Sequence, residues 1–78
     1  MKSTAVLKGL RSKRMMSQEN VAKLLNVSRQ TYNSLENDLL NNDFKIVFKL
    51  LEVLGLSENE TEEFFDALKQ DYLSYKYE

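Results

Sequence analysis

Gln18-Glu19-Asn20-Val21-Ala22-Lys23-Leu24-Leu25-Asn26-Val27-Ser28-Arg29-Gln30-Thr31-Tyr32-Asn33-Ser34-Leu35-Glu36 is the stretch that decides the fold. Its apolar spacing predicts two short helices joined by a tight turn. Ser17 stands ready to cap the first, about residues 18–25, whose inward face is Val21, Ala22 and Leu25. Ser28 opens the second, about residues 28–36, with Tyr32 and Leu35 inward. Ala22 faces the second helix, where a larger side chain would push the pair apart. Asn26 sits at the corner, where a positive φ is expected and asparagine tolerates it best after glycine. Val27 plugs the corner. The set Ala22, Val27 and Leu35 is core in any tight helical hairpin, whatever its task.

Working outward, Val6, Leu7 and Leu10 share one side of a helix running from about Thr4 to Arg14. After a polar loop, Asn37 to Asn42, Asp43 caps a helix from Phe44 to Leu54, closed by Gly55 as a left-handed C-terminal residue. Ser57-Glu58-Asn59-Glu60 is a capping box that opens a last helix reaching about Leu73 or beyond. With no proline and two glycines, the reading is all-α, about five short helices with short connections. Two units are expected: residues 1–56 around the hairpin, and 57–78 as a C-terminal helix packing on the fourth.

Seventy-eight residues make at most one domain core. Cysteine and histidine are both missing, which excludes disulfides, thiolate metal sites, thiol nucleophiles and the commonest general base. Serines and lysines have no accompanying base, and no glycine-rich loop can cradle a phosphate. The expectation is therefore no enzyme, no catalytic residue, no cofactor and no metal. Glu58, Glu60, Glu62, Glu63 and Asp66 complement the dipole at a helix start rather than converge on an ion. No apolar run approaches the roughly 20 residues that cross a bilayer, and the start lacks an apolar leader stretch. A cytoplasmic protein with no membrane contact is expected.

The polar residues left at the start of the second hairpin helix are Ser28, Arg29, Gln30, Asn33 and Ser34. Arginine can grip guanine O6 and N7, glutamine or asparagine can grip adenine N6 and N7, and a helix fits the major groove. The alternative is a solvated helix face. Together with Leu7-Lys8-Gly9-Leu10-Arg11, Ser17-Gln18, Leu35-Glu36-Asn37 and Leu54-Gly55-Leu56-Ser57, this stretch resembles the helix-turn-helix of the lambda-repressor/Cro-like regulators. The resemblance runs without a gap from about Leu7 to Leu56. It implies a lambda-repressor-like domain that binds double-stranded DNA and regulates transcription, with residues 28–36 as the recognition helix. It implies base readout by Ser28, Arg29, Gln30, Asn33 and Ser34, and phosphate contacts from Gln18, Thr31 and Asn37. It also implies an ion pair, Arg11–Glu36, tying the first helix to the end of the recognition helix. Lys13, Arg14 and Lys23 are further phosphate candidates, each equally readable as a plain surface charge.

Three positions depart from the family pattern. Met15 stands where glycine is frequent, so that turn is either differently built or strained. Asn26 replaces a turn glycine. The loop Asn37-Asp38-Leu39-Leu40-Asn41-Asn42 carries no base, and leaves Leu39 and Leu40 either exposed or covered by the loop.

The helix Phe44–Leu54 is apolar almost all round, its polar stripe being Lys45, Lys49 and Glu52. Val47, Leu50, Leu51 and Leu54 cover the hairpin; Ile46, Phe48 or Val53 need another cover. The last helix offers Phe65, Leu68, Tyr72 and Tyr75, which read as a homodimer interface or as core. Such a dimer would set two recognition helices about one DNA turn apart on a near-palindromic site. A repressor of phage or mobile-element type fits these features. Two alternatives stand beside it: the antitoxin of a toxin–antitoxin pair, and a protein-interaction module that has lost DNA binding. A toxin or antirepressor would be the partner protein.

The net charge is −1, but it is partitioned. Residues 1–31 hold Lys2, Lys8, Arg11, Lys13, Arg14, Lys23 and Arg29 against Glu19 alone, while the acids collect in residues 32–78. That predicts a molecule with a positive N-terminal half that orients on approach to a polyanion.

Overall fold

A computed structural model describes residues 1–77. Among them the chain forms five helices and no strand: α1 (Lys2–Lys13), α2 (Gln18–Leu25), α3 (Arg29–Asn37), α4 (Phe44–Leu54) and α5 (Glu58–Tyr77). None of these described helices is long and apolar enough to cross a membrane.

Each boundary has a local cause. Ser17 and Asn20 form a reciprocal cap at the head of α2, with the Asn20 N–H donating to Ser17 Oγ at 3.0 Å. Asn26 ends α2 in the left-handed conformation, φ 60°. Asp43 accepts the Lys45 N–H at the head of α4, and Gly55 closes it at φ 61°. Ser57 and Glu60 make the expected box before α5. Met15 is the strained position: it too is left-handed, φ 56°, with its side chain almost wholly in solvent.

The core gathers Leu7 and Leu10 of α1, Val21, Ala22 and Leu25 of α2, and Tyr32 and Leu35 of α3. Val47, Leu50, Leu51 and Leu54 of α4 and Phe64 of α5 complete it. Leu39 is buried, settling the alternatives for that loop in favour of a covered leucine; Leu40 is half-buried. The loop folds around Asp38, whose carboxylate accepts the Asn41 amide at 3.0 Å.

α5 lies chiefly along α1 rather than on α4, where the sequence reading put it. Its buried stripe is Phe64, Ala67 and Asp71, and it reaches α4 through the Phe65–Phe48 ring contact, 6.1 Å between centroids. The reason is polar as well as apolar. Asp71 accepts the Lys2 N–H at 2.7 Å and the Ser3 N–H at 2.9 Å, and the Ser3 hydroxyl donates to it as well. These are the orphan donors of the first turn of α1, capped here from a residue 68 positions away. The cap starts α1 at Lys2, two residues before the expected Thr4. Burial alone would raise the Asp71 carboxyl, but the bonds from Ser3 and Lys2 outweigh it and hold the group below its usual range.

Candidate nucleic-acid interface

The turn between α2 and α3 is built as the spacing implies. Ala22 is buried, and its carbonyl accepts the Val27 N–H at 3.0 Å across the corner. Tyr32 and Leu35 are buried beneath α3, leaving Ser28, Arg29, Gln30, Thr31, Asn33 and Ser34 in solvent. Gln18, at the first turn of α2, lines one shallow depression with Arg29, Gln30 and Asn33. The structure therefore brings together four of the residues proposed from sequence, drawn from two helix starts.

The platform beneath is an ion pair. Glu36 is fully buried at the end of α3, and its carboxylate accepts Arg11 Nε at 3.0 Å and Nη2 at 3.1 Å. This two-pronged bond joins α1 to α3, and Arg11 Nη1 also donates to the Met16 carbonyl at 3.0 Å. Hydrogen bonding to Glu36 raises the Arg11 pKa further. Gln18 Nε2 reaches the same carboxylate at 3.4 Å, and Thr4 Oγ1 donates to the Glu36 carbonyl at 2.9 Å. The Tyr32 hydroxyl is buried beside this pair with no hydrogen-bond partner among the described residues. Burial, then the Glu36 carboxylate, push its pKa well above the usual phenol range.

Several candidates already hold partners. The Ser28 hydroxyl caps α3, accepting the Thr31 N–H at 3.0 Å and donating to Thr31 Oγ1 at 2.8 Å. Asn37 donates to the Asn33 carbonyl at 2.9 Å and to Asn33 Oδ1 at 2.7 Å. Lys23 lies 3.8 Å from Glu19 with both side chains largely exposed, a weak pair that leaves the ammonium accessible.

Arg14 faces elsewhere. Its guanidinium donates to the Leu54 carbonyl at 2.6 Å, to the Leu10 carbonyl at 3.1 Å, and to both oxygens of Glu60 at 3.1 and 2.6 Å. It thus closes the C-terminus of α4 and the N-terminus of α5 at once. Lys13 Nζ adds a bond to Glu60 at 3.3 Å. Arg14 hydrogen bonding, then the Ser57 N–H, hold the Glu60 carboxyl far below its usual range. The polarised charge pattern is accordingly crossed by ion pairs, because Arg11, Lys13 and Arg14 meet acids from the second half of the chain.

A second surface lies where α4, α5 and the Leu39–Leu40 loop meet. Leu40, Phe44, Phe48, Phe65, Leu68 and Tyr72 line an apolar groove, and Phe44 is 77% exposed. The rings of Phe44 and Phe48 stack with centroids 6.3 Å apart. Of the residues expected at an interface, Phe65, Leu68 and Tyr72 join this groove, whereas Tyr75 stands apart, against Met1, Lys2 and Asp71. Phe44 was not foreseen there. Its position at the first turn of an all-round apolar helix was the available signal.

A family model described as Helix-turn-helix matches residues 7–60. No curated protein and no solved structure matches the chain.

Proposed function

The chain belongs to this DNA-binding helix-turn-helix family, and from that premise we propose a sequence-specific regulator of transcription, of phage or mobile-element repressor type. It acts as a homodimer on a near-palindromic duplex site. The observation that carries the reading is the exposed set Arg29, Gln30, Asn33 and Ser34, seated on a helix whose inner face and end are locked by Tyr32, Leu35 and Glu36. Base-reading side chains need such a rigid support, because a bidentate contact tolerates little misplacement. Gln18 and Lys23 lie on α2, the helix that crosses the phosphate backbone in this docking mode.

The homodimer rests on the apolar groove, in which four aromatic rings lie together instead of singly. A two-fold dimer would bury the same patch on both copies. The same groove suits a partner protein, which is what the antitoxin reading requires. Phe48→Glu and Phe65→Glu are expected to give monomers in sedimentation equilibrium. An unaltered mass discards the groove as the dimer contact.

Duplex binding is measured by fluorescence anisotropy at two salt concentrations. Binding that neutralises several phosphates falls by orders of magnitude as salt rises. No binding at low salt overturns the DNA reading. Arg29→Ala is expected to relax preference at one base position by about 1–3 kcal/mol. An equal loss on all sequences would make Arg29 a phosphate contact instead.

A further inference from the structure

Asn33 and Asn37 lie one turn apart on the exposed side of α3. The Asn37 amide stands 2.9 Å from the Asn33 backbone carbonyl. A carbonyl oxygen only accepts, so the Asn37 atom facing it is the nitrogen, Nδ2. That nitrogen also stands 2.7 Å from the Asn33 side chain. An amide nitrogen only donates, so the Asn33 atom at that distance is the oxygen, Oδ1. The orientation of both amides follows from one backbone carbonyl. Both Asn37 amide protons are consumed within α3. The Asn33 oxygen is turned toward Asn37, at the C-terminal end of the helix, and Asn33 lines the depression shared with Gln18, Arg29 and Gln30.

We propose that Asn37 fixes the hydrogen-bonding polarity of Asn33, so that Asn33 offers donors alone to the DNA and selects guanine. The inference rests on the DNA-binding reading given above. An asparagine reads adenine by presenting Oδ1 to N6 and Nδ2 to N7 together. The oxygen keeps a second lone pair, but an amide whose oxygen is turned toward Asn37 does not present Oδ1 and Nδ2 together to that edge, and the adenine N6 amino group would then meet a second donor. Guanine alone shows two acceptors, N7 and O6, in the major groove, and two protons on Nδ2 suit it. Asn37 is thus a positioning residue: it acts on the base through Asn33 and keeps its own amide protons from any phosphate.

The test selects bound duplexes from a random pool with the wild type, Asn33→Ala and Asn37→Ala. Both substitutions are on exposed helix positions, and unchanged circular dichroism verifies the fold. Asn33→Ala is expected to flatten preference at one base pair, which the wild type fills with G·C. In Asn37→Ala the same position is expected to move toward A·T, by about fivefold or more in relative affinity. Placing 7-deazaguanine at that guanine removes N7; it should weaken the wild type and leave Asn33→Ala unchanged. An A·T pair in the wild type, a G·C preference that survives in Asn37→Ala, or indifference of the wild type to 7-deazaguanine overturns the inference, as does an Asn33→Ala protein that flattens no position. A wild type that enriches no sequence and binds no duplex at low salt overturns the DNA-binding reading, and this inference with it.

Discussion

Two arginines three residues apart, Arg11 in the last turn of α1 and Arg14 at its C-cap, each fork onto a glutamate, and they hold different parts of the molecule. Arg11 grips Glu36 and fixes the recognition helix; Arg14 grips Glu60 and fixes the junction of α4 and α5. Glu36 is wholly buried, while the Arg14–Glu60 pair keeps its side chains 20% and 14% exposed. The first pair is a buried charge whose loss leaves its partner stranded in a low dielectric. The second is partly screened by water, and its value lies in the carbonyls of Leu10 and Leu54 that Arg14 satisfies besides. One helix therefore serves as the strut for both halves, with unequal rigidity at its two joints.

The largest test of that inequality is Glu36→Ala, expected to lower stability by about 3–5 kcal/mol in urea unfolding, as a broken buried pair does. Replacing both partners, Arg11→Met with Glu36→Leu, should restore most of the loss. If Glu60→Ala costs as much as Glu36→Ala, the two joints are equivalent and the comparison fails.

Acid sharpens it next. Glu60 and Asp71 both have carboxyls held below their usual range, so the folded state binds their protons less readily than the unfolded chain. Their contribution is complete above the ordinary carboxylate range, about pH 5; it begins to fall as pH drops through that range and is lost as pH falls through the lower values held in the folded state. The urea midpoint should therefore drop on acidification, and Glu60→Gln should start lower and fall less steeply. A slope identical to the wild type would remove Glu60 from the account.

The smallest effect belongs to Met15, which follows Arg14 in a left-handed conformation. Met15→Gly should raise stability by about 0.5–1 kcal/mol, the relief of strain less the added freedom of the unfolded chain. A destabilised variant would mean that the turn is not strained.

What could be read from sequence follows the range of the interactions. α2 and α4 were legible to the residue, because Ser17, Asn26, Asp43 and Gly55 act within a turn of their own helix. Arg11–Glu36 was legible only through the family resemblance, since periodicity alone does not pair residues 25 apart. The task of Arg14 and the cap supplied by Asp71 were illegible: their partners lie 40 to 69 residues away and neither end carries a local signature. The burial of Leu39 likewise depends on a loop wound around Asp38, which no helical pattern announces. Within the candidate interface, exposure of Arg29, Gln30, Asn33 and Ser34 followed from the inward Tyr32 and Leu35. The coupling of Asn33 to Asn37 needed coordinates, because i and i+4 spacing permits such a bond without requiring it.

The cap that Asp71 places on α1 also sets an order on biosynthesis. A ribosome adding roughly 5–20 residues per second makes residue 71 about 3–14 seconds after residue 3. Throughout that interval the first turn of α1 has water as its only cap. The helix that serves as strut for the whole domain is therefore made before the residue that completes it, and a nascent chain released before Asp71 would leave with that end frayed.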